Sequence, residues 1–234
     1  MNRSSIIKLG SSDEKGFTIM ELMIATAILA VLLLMSSVVM IGIANLFEKG
    51  INITNLQNVN RNIVSEITSD IQFSGEKVDS GSYSYPTGAG TSETVYAICF
   101  GNVRYSYVIN FPPSNWSHTI WKDEMSSPGS CIPLNIGLPI PNCSVDVNCI
   151  PSSTSVTGGD LAGPNMHIAY LKVQPIGTNY QVYSIAIGMM LGQSYLFESS
   201  SVPPGTNYIC NTNVGQQFCA TSSLSAVATE RLLN

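Results

Sequence analysis

The residues able to do chemistry in this chain fall into three groups: a lone carboxylate, Glu21, set in an apolar run; six cysteines; and two histidines. An ionisable group at membrane depth costs roughly 2.5–3.5 kcal/mol at a helix centre, and such groups usually have a partner or a function. Glu21 sits in the order Lys15-Gly16-Phe17-Thr18-Ile19-Met20-Glu21-Leu22. Thr18 and Glu21 have the spacing of a capping box, in which the two side chains satisfy free backbone N–H groups at a helix start and the carboxylate complements the helix dipole. That accounts for the threonine and the glutamate. It explains neither the Lys15-Gly16 junction nor the long apolar run that follows.

The cysteines are Cys99, Cys131, Cys143, Cys149, Cys210 and Cys219. They lack the paired C-x-x-C spacing of a zinc site, and an even number in an exported domain points to disulfides. The expected pairs are Cys210 with Cys219, Cys143 with Cys149, and Cys99 with Cys131 left over. His118 and His167 have no neighbouring histidine or carboxylate at a metal or triad spacing, so both read as lone histidines. Residues 155–163, SVTGGDLAG, lack a phosphate-loop lysine and the acidic positions of an EF-hand, which leaves a turn. Tyr105, Tyr107, Trp116 and Trp121 have strand spacing and read as core. Lys49, Arg61, Lys77, Arg104, Lys122, Lys172 and Arg231 are spread thinly, with no basic stripe to bind nucleic acid. No enzyme, metal or cofactor is expected.

A chain of 234 residues, 44% hydrophobic, 11% charged and with net charge −5, has room for one membrane element and one globular domain. Residues 22–44 hold no Asp, Glu, Lys, Arg, His or Pro, and they exceed the ~20 residues that a helix needs to cross a bilayer core. An ordinary secretory signal has a far shorter apolar core, of about 7–15 residues, followed by a small-residue cleavage site. Basic residues lie on the N-terminal side of the span, which keeps that end cytoplasmic and exports the rest. All six cysteines follow the span, on the side where disulfides persist.

Past the span, Leu56, Val59, Ile63, Ile67 and Ile71 recur at steps of three or four, with Asn58, Asn60, Arg61, Asn62, Ser65, Glu66, Ser69 and Asp70 on the other faces. One helix is expected from about Thr18 to Phe73, ending near Gly75. Residues 79–92 read as a turn-rich connection. Val103, Tyr105, Tyr107, Ile109 and Phe111 alternate with Arg104, Ser106 and Asn110, a period of two that puts the apolar set on one face and the polar set on the other. Residues 94–100, 118–122, 167–173 and 181–191 read as further strands, and 126–164 as a long irregular region. The fold class is α+β: a long N-terminal helix, apolar in its first half and amphipathic in its second, packed on a mostly antiparallel sheet over 76–234.

Lys15-Gly16-Phe17-Thr18-x-x-Glu21-Leu22 ahead of an apolar helix resembles the N-terminus of type IV pilins and of type II secretion pseudopilins. The resemblance implies a leader, residues 1–16, that a prepilin peptidase removes between Gly16 and Phe17, with Phe17 then N-methylated. Glu21 becomes the fifth mature residue, and a neighbouring subunit's Phe17 amine offers it a cationic partner in a low-dielectric surround. The implied partners are other pilin subunits through the helix at 17–75, the peptidase, an inner-membrane assembly platform, and the membrane before assembly. The implied location is the inner membrane as a single-pass protein, then an extracellular or periplasmic filament. Residues 63–75, IVSEITSDIQFSG, resemble the end of the long helix in large minor pilins of the PilW-like kind. That implies a minor subunit of a type IV pilus-type filament, with a pseudopilin or a tip-located binding module as alternatives. The apolar helix lacks the proline found in many major pilins.

Overall fold

The computed structural model describes residues 16–86, 92–112, 118–125, 131–134, 136, 158–177, 181–200, 207–211 and 215–230. The chain divides into two compact units, Met1–Asn45 and Leu46–Asn234. Helix α1 (Ile19–Ser74) contributes to both. Its sequence has no proline and is rich in Leu, Met, Ala and Ile, residues that lose little side-chain freedom in a helix or, for Ile, pack well on its flanks. Gly42 and Gly50, which weaken a helix slightly, do not interrupt it.

In the second unit α1 becomes amphipathic. Leu56, Asn60, Ile63, Val64, Ile67 and Ile71 are buried along one stripe. They pack against Phe100, Tyr105 and Ile120 of one sheet and against Ile168, Leu171, Tyr183, Ile185 and Ile187 of another. Each fully buried Leu or Ile here contributes roughly 1.5–3 kcal/mol. Gly75 ends the helix with φ 62°, the left-handed conformation that glycine adopts without steric cost.

The first sheet is antiparallel in the order β1-β2-β3-β4-β5: β1 (Asp79–Pro86), β2 (Ser92–Phe100), β3 (Val103–Val108), β4 (Ile120–Glu124) and β5 (Gly158–Asp160). After it come β6 (Met166–Pro175) and β7 (Val182–Leu191), with β8 (Phe197–Ser200) and β9 (Asn207–Cys210) forming a two-stranded hairpin. The last strand, β10 (Ala220–Thr229), completes a second antiparallel sheet in the order β10-β7-β6. A parallel bridge between Ile109 and Ile168 joins the two sheets.

Four expectations need correction. Residues 79–86 are not a turn but β1, paired residue for residue with β2; alternating Ser and Tyr carry little apolar signal, yet pairing satisfies the backbone. Strand β3 stops at Val108, because Asn110 takes φ 71° and turns the chain, so Phe111 leaves the face it was assigned. Asn60 is fully buried rather than on the polar face, and donates to Ser222 Oγ at 3.2 Å. Of the segment 155–163, residues 155–157 lie outside the described residues, and Gly158–Asp160 form β5, whose Asp160 accepts the Ala162 N–H.

The polar face of β3 is covered too. Arg104 and Ser106 are buried because residues 131–134 and 136 form a strap across the side of the first sheet opposite α1. Leu134 and Ile136 cover Tyr85, Val95 and Val108. Strap polar groups find partners on the sheet: Arg104 Nη1 donates to the Ile132 carbonyl at 2.6 Å, Tyr85 Oη to the Pro133 carbonyl at 2.6 Å, and the Leu134 N–H to Ser106 Oγ at 2.9 Å. Asp123, 3% exposed, fixes the Arg104 guanidinium through Nε (3.1 Å) and Nη2 (2.7 Å). At Gly81 a Cβ atom would run into the Cys131 carbonyl, so the close approach of the strap requires glycine.

Candidate functional site: an exposed apolar helix with one carboxylate

Every described residue of the first unit, 16–45, is exposed. Phe17 and Ile19 are 78% and 81% exposed, and Leu, Ile, Val and Met side chains point outward all round the helix. A surface of that length and polarity is stable only in lipid or against other helices. Three of its hydroxyls are satisfied internally: Thr26 Oγ1 donates to the Met23 carbonyl, and Ser36 and Ser37 donate to the carbonyls of Leu32 and Leu33 at 2.8 and 2.9 Å. These bonds let hydroxyls sit at membrane depth.

Glu21 differs. Thr18 caps the helix, its Oγ1 accepting the Glu21 backbone N–H at 3.3 Å while its carbonyl accepts those of Glu21 and Leu22 at 3.1 and 3.2 Å. Only the threonine half of the capping box forms. The Glu21 carboxylate has no hydrogen bond or ion pair with any described residue, so a capping role leaves it unused. Gly16 precedes the helix in an open segment where even a Cβ atom would meet nothing within 4 Å. The backbone around Gly16 and Phe17 is accordingly accessible to another protein. The leader residues 1–15 lie outside the described residues.

In the second unit, disulfides join Cys99 to Cys131 and Cys210 to Cys219, with Cα–Cα distances of 5.8 and 5.7 Å. The first ties the strap to β2; the second ties β9 to the residue before β10. Cys143 and Cys149 lie outside the described residues, as does Trp116.

His118 does have a carboxylate beside it: Nδ1 is 2.9 Å from Asp160 Oδ2, and the ring meets Trp121 edge-on. The 42-residue separation hid the pair from any reading by local spacing. His167 packs against Phe111. Burial lowers its pKa, against a smaller opposing effect of a hydrogen bond with the Gly192 backbone. Lys122, from β4, reaches Glu66 and Asp70 of α1, each at 2.8 Å, and Tyr105 donates to the same Asp70. Burial works against the Lys122 ammonium, but the two carboxylates outweigh it and its pKa is raised. Burial first, then Asp70, pushes the Tyr105 phenol above its ordinary range. These groups lock helix to sheet. Glu66 and Asp70 looked like solvated polar-face residues because Lys122 is more than fifty positions away.

Residues 11–37 match the prokaryotic N-terminal methylation motif. Matched residues include Gly16, Phe17, Glu21 and the first half of the apolar helix. The match supports a type IV pilin-like or pseudopilin-type protein, with a helix that anchors it in a membrane before assembly. It points to a structural protein rather than an enzyme, and implies assembly with other pilins and processing by a prepilin peptidase. No curated protein and no solved structure matches the chain.

Proposed function

We propose that this chain is a minor subunit, of the PilW-like kind, in a type IV pilus-type filament. Before assembly it is a single-pass inner-membrane protein with its N-terminus in the cytoplasm. Cleavage between Gly16 and Phe17 frees the Phe17 amine, which is then methylated. In the filament the apolar helix leaves lipid for the helices of neighbouring subunits, and Glu21 pairs with the Phe17 amine of one of them. One observation carries this reading: within the exposed apolar stretch 16–45, where Thr26, Ser36 and Ser37 bond to backbone carbonyls, the single carboxylate has no partner among the described residues. Buried charges that persist are paired, and the leader motif supplies a cation of matching depth. Intact-mass measurement of protein from cells with an active prepilin peptidase tests the processing. A mature chain that starts at methylated Phe17 supports the reading; one that retains residues 1–16 refutes it. Quantifying the subunit in purified filaments then separates a minor subunit, scarce beside a major pilin, from a pseudopilin that surface filaments do not contain.

A further inference from the structure

The second unit holds a groove on one of its sheets, lined by none of residues 16–45. Its volume is about 400 Å³, and it lies between the outer face of the β10-β7-β6 sheet and the β8/β9 hairpin. That is within the usual size range of small-molecule sites, roughly 300–1,000 Å³.

Three local features build it. The register of β6 slips between Ile168 and Tyr170, leaving Ala169 as an extra residue and setting Tyr170 opposite Gly188. The Tyr170 ring occupies the space that a Cβ at Gly188 would need, so it lies against the bare strand. Bulges commonly re-aim a side chain, and a strand-interior glycine marks a close approach. From the hairpin comes Tyr208, held edge-on by Phe111 and Phe197 at 5.6 and 6.4 Å. From β10 come Thr221 and Ser223, both exposed and, being two apart, on one face.

Among the described residues, the lining contains no Asp, Glu, Lys, Arg or His. An anion would find no cation there, and a cation no carboxylate. A purely apolar ligand would strip water from hydroxyls without replacing the hydrogen bonds. Phenol and aliphatic hydroxyls both donate and accept, and tyrosine rings offer apolar faces. A pyranose has the matching pair of surfaces, a C–H face and a rim of hydroxyls. We propose that this groove binds a neutral saccharide, its ring face on Tyr170 and Tyr208 and its hydroxyls on Thr221 and Ser223. The site does not depend on the filament role.

The test uses the mature full chain in phospholipid nanodiscs, which avoids glycoside detergents, and saturation-transfer NMR. The probes are methyl glycosides of glucose, galactose, mannose and N-acetylglucosamine and their disaccharides, with glucuronic acid and glucosamine as charged comparators. Saturation should reach the ring protons of at least one neutral sugar. Tyr208→Ala should weaken that binding about ten-fold. Because Tyr208 also packs on Phe111 and Phe197, the double change Thr221→Val with Ser223→Val serves as a second variant; it keeps strand-forming residues on an exposed face, and should weaken binding similarly at an unchanged Tm. No transfer to any neutral sugar at millimolar concentration overturns the proposal. So does transfer undiminished in both variants, or equal transfer to the charged comparators.

Discussion

Asp123→Ala is the sharpest test of how the second unit is held together. The substitution leaves Arg104, whose side chain is 10% exposed, without the carboxylate that binds both its Nε and Nη2. Breaking a buried pair by removing one partner costs about 3–5 kcal/mol. A domain of this size has a total stability on the order of 5–15 kcal/mol, so the loss is a large fraction of it. With a urea dependence of about 2 kcal/mol per molar, the unfolding midpoint should fall by roughly 1.5–2.5 M. Trp121 packs against the cluster beneath the strap and reports the transition by fluorescence. Replacing both partners, Arg104→Met with Asp123→Leu, should recover most of the loss, because two matched apolar groups leave no buried charge. It should not recover all of it, since the Ile132 carbonyl still loses its donor, a deficit of about 1 kcal/mol. A midpoint shift below about 0.5 M for Asp123→Ala would mean that the guanidinium finds water or another acceptor, and that the strap is not clamped as described.

Three further outcomes follow from the same geometry. Gly81→Ala should cost roughly 1–3 kcal/mol, read as a lower Tm, because its Cβ must displace the strap carbonyl of Cys131; an unchanged Tm would show that the strap does not lie there. Reducing the disulfides should remove about 3–4 kcal/mol for the 32-residue separation of Cys99 and Cys131, and about 2–3 kcal/mol for the nine of Cys210 and Cys219; non-reduced peptide mapping that finds either pair as free thiols contradicts it. His167 has its pKa lowered below 6.5, so the folded state binds fewer protons than the unfolded one. Stability from its neutral form is fully present above 6.5 and lost as pH falls through that value towards the folded pKa. His167→Phe should flatten this acid slope in Tm; a slope unchanged by the substitution assigns it to another group.

What could be read from the sequence was whatever repeats locally. The stripe Leu56, Ile63, Ile67 and Ile71 has the helical period and lies where expected, as do β2, β6 and β7 with their alternating or continuous apolar residues. The N-terminal methylation motif was legible for the same reason: its residues stand at fixed short spacing. The strap was not, since residues 131–134 and 136 carry no period and are held by single bonds to strands far away in sequence. A polar alternation cannot announce that Arg104 has a buried acid opposite it. Strand β10, ATSSLSAVAT, hides for another reason: its small hydroxyl residues resemble a loop until β7 supplies the pairing partner.

Incorporation of Glu21 variants into sheared filaments, measured beside their level in the membrane, tests the central claim most directly. The helix cap depends on Thr18 Oγ1 and the Glu21 backbone N–H, which any residue at position 21 retains. Capping alone therefore predicts near-normal incorporation of both Glu21→Gln and Glu21→Ala. With an inter-subunit ion pair, both variants should insert and be cleaved normally yet reach filaments far less than the unaltered chain. An unpaired Phe17 amine in an apolar filament core costs about 3–5 kcal/mol, which is a hundred-fold or more at equilibrium. Glutamine that incorporates like glutamate would contradict the account.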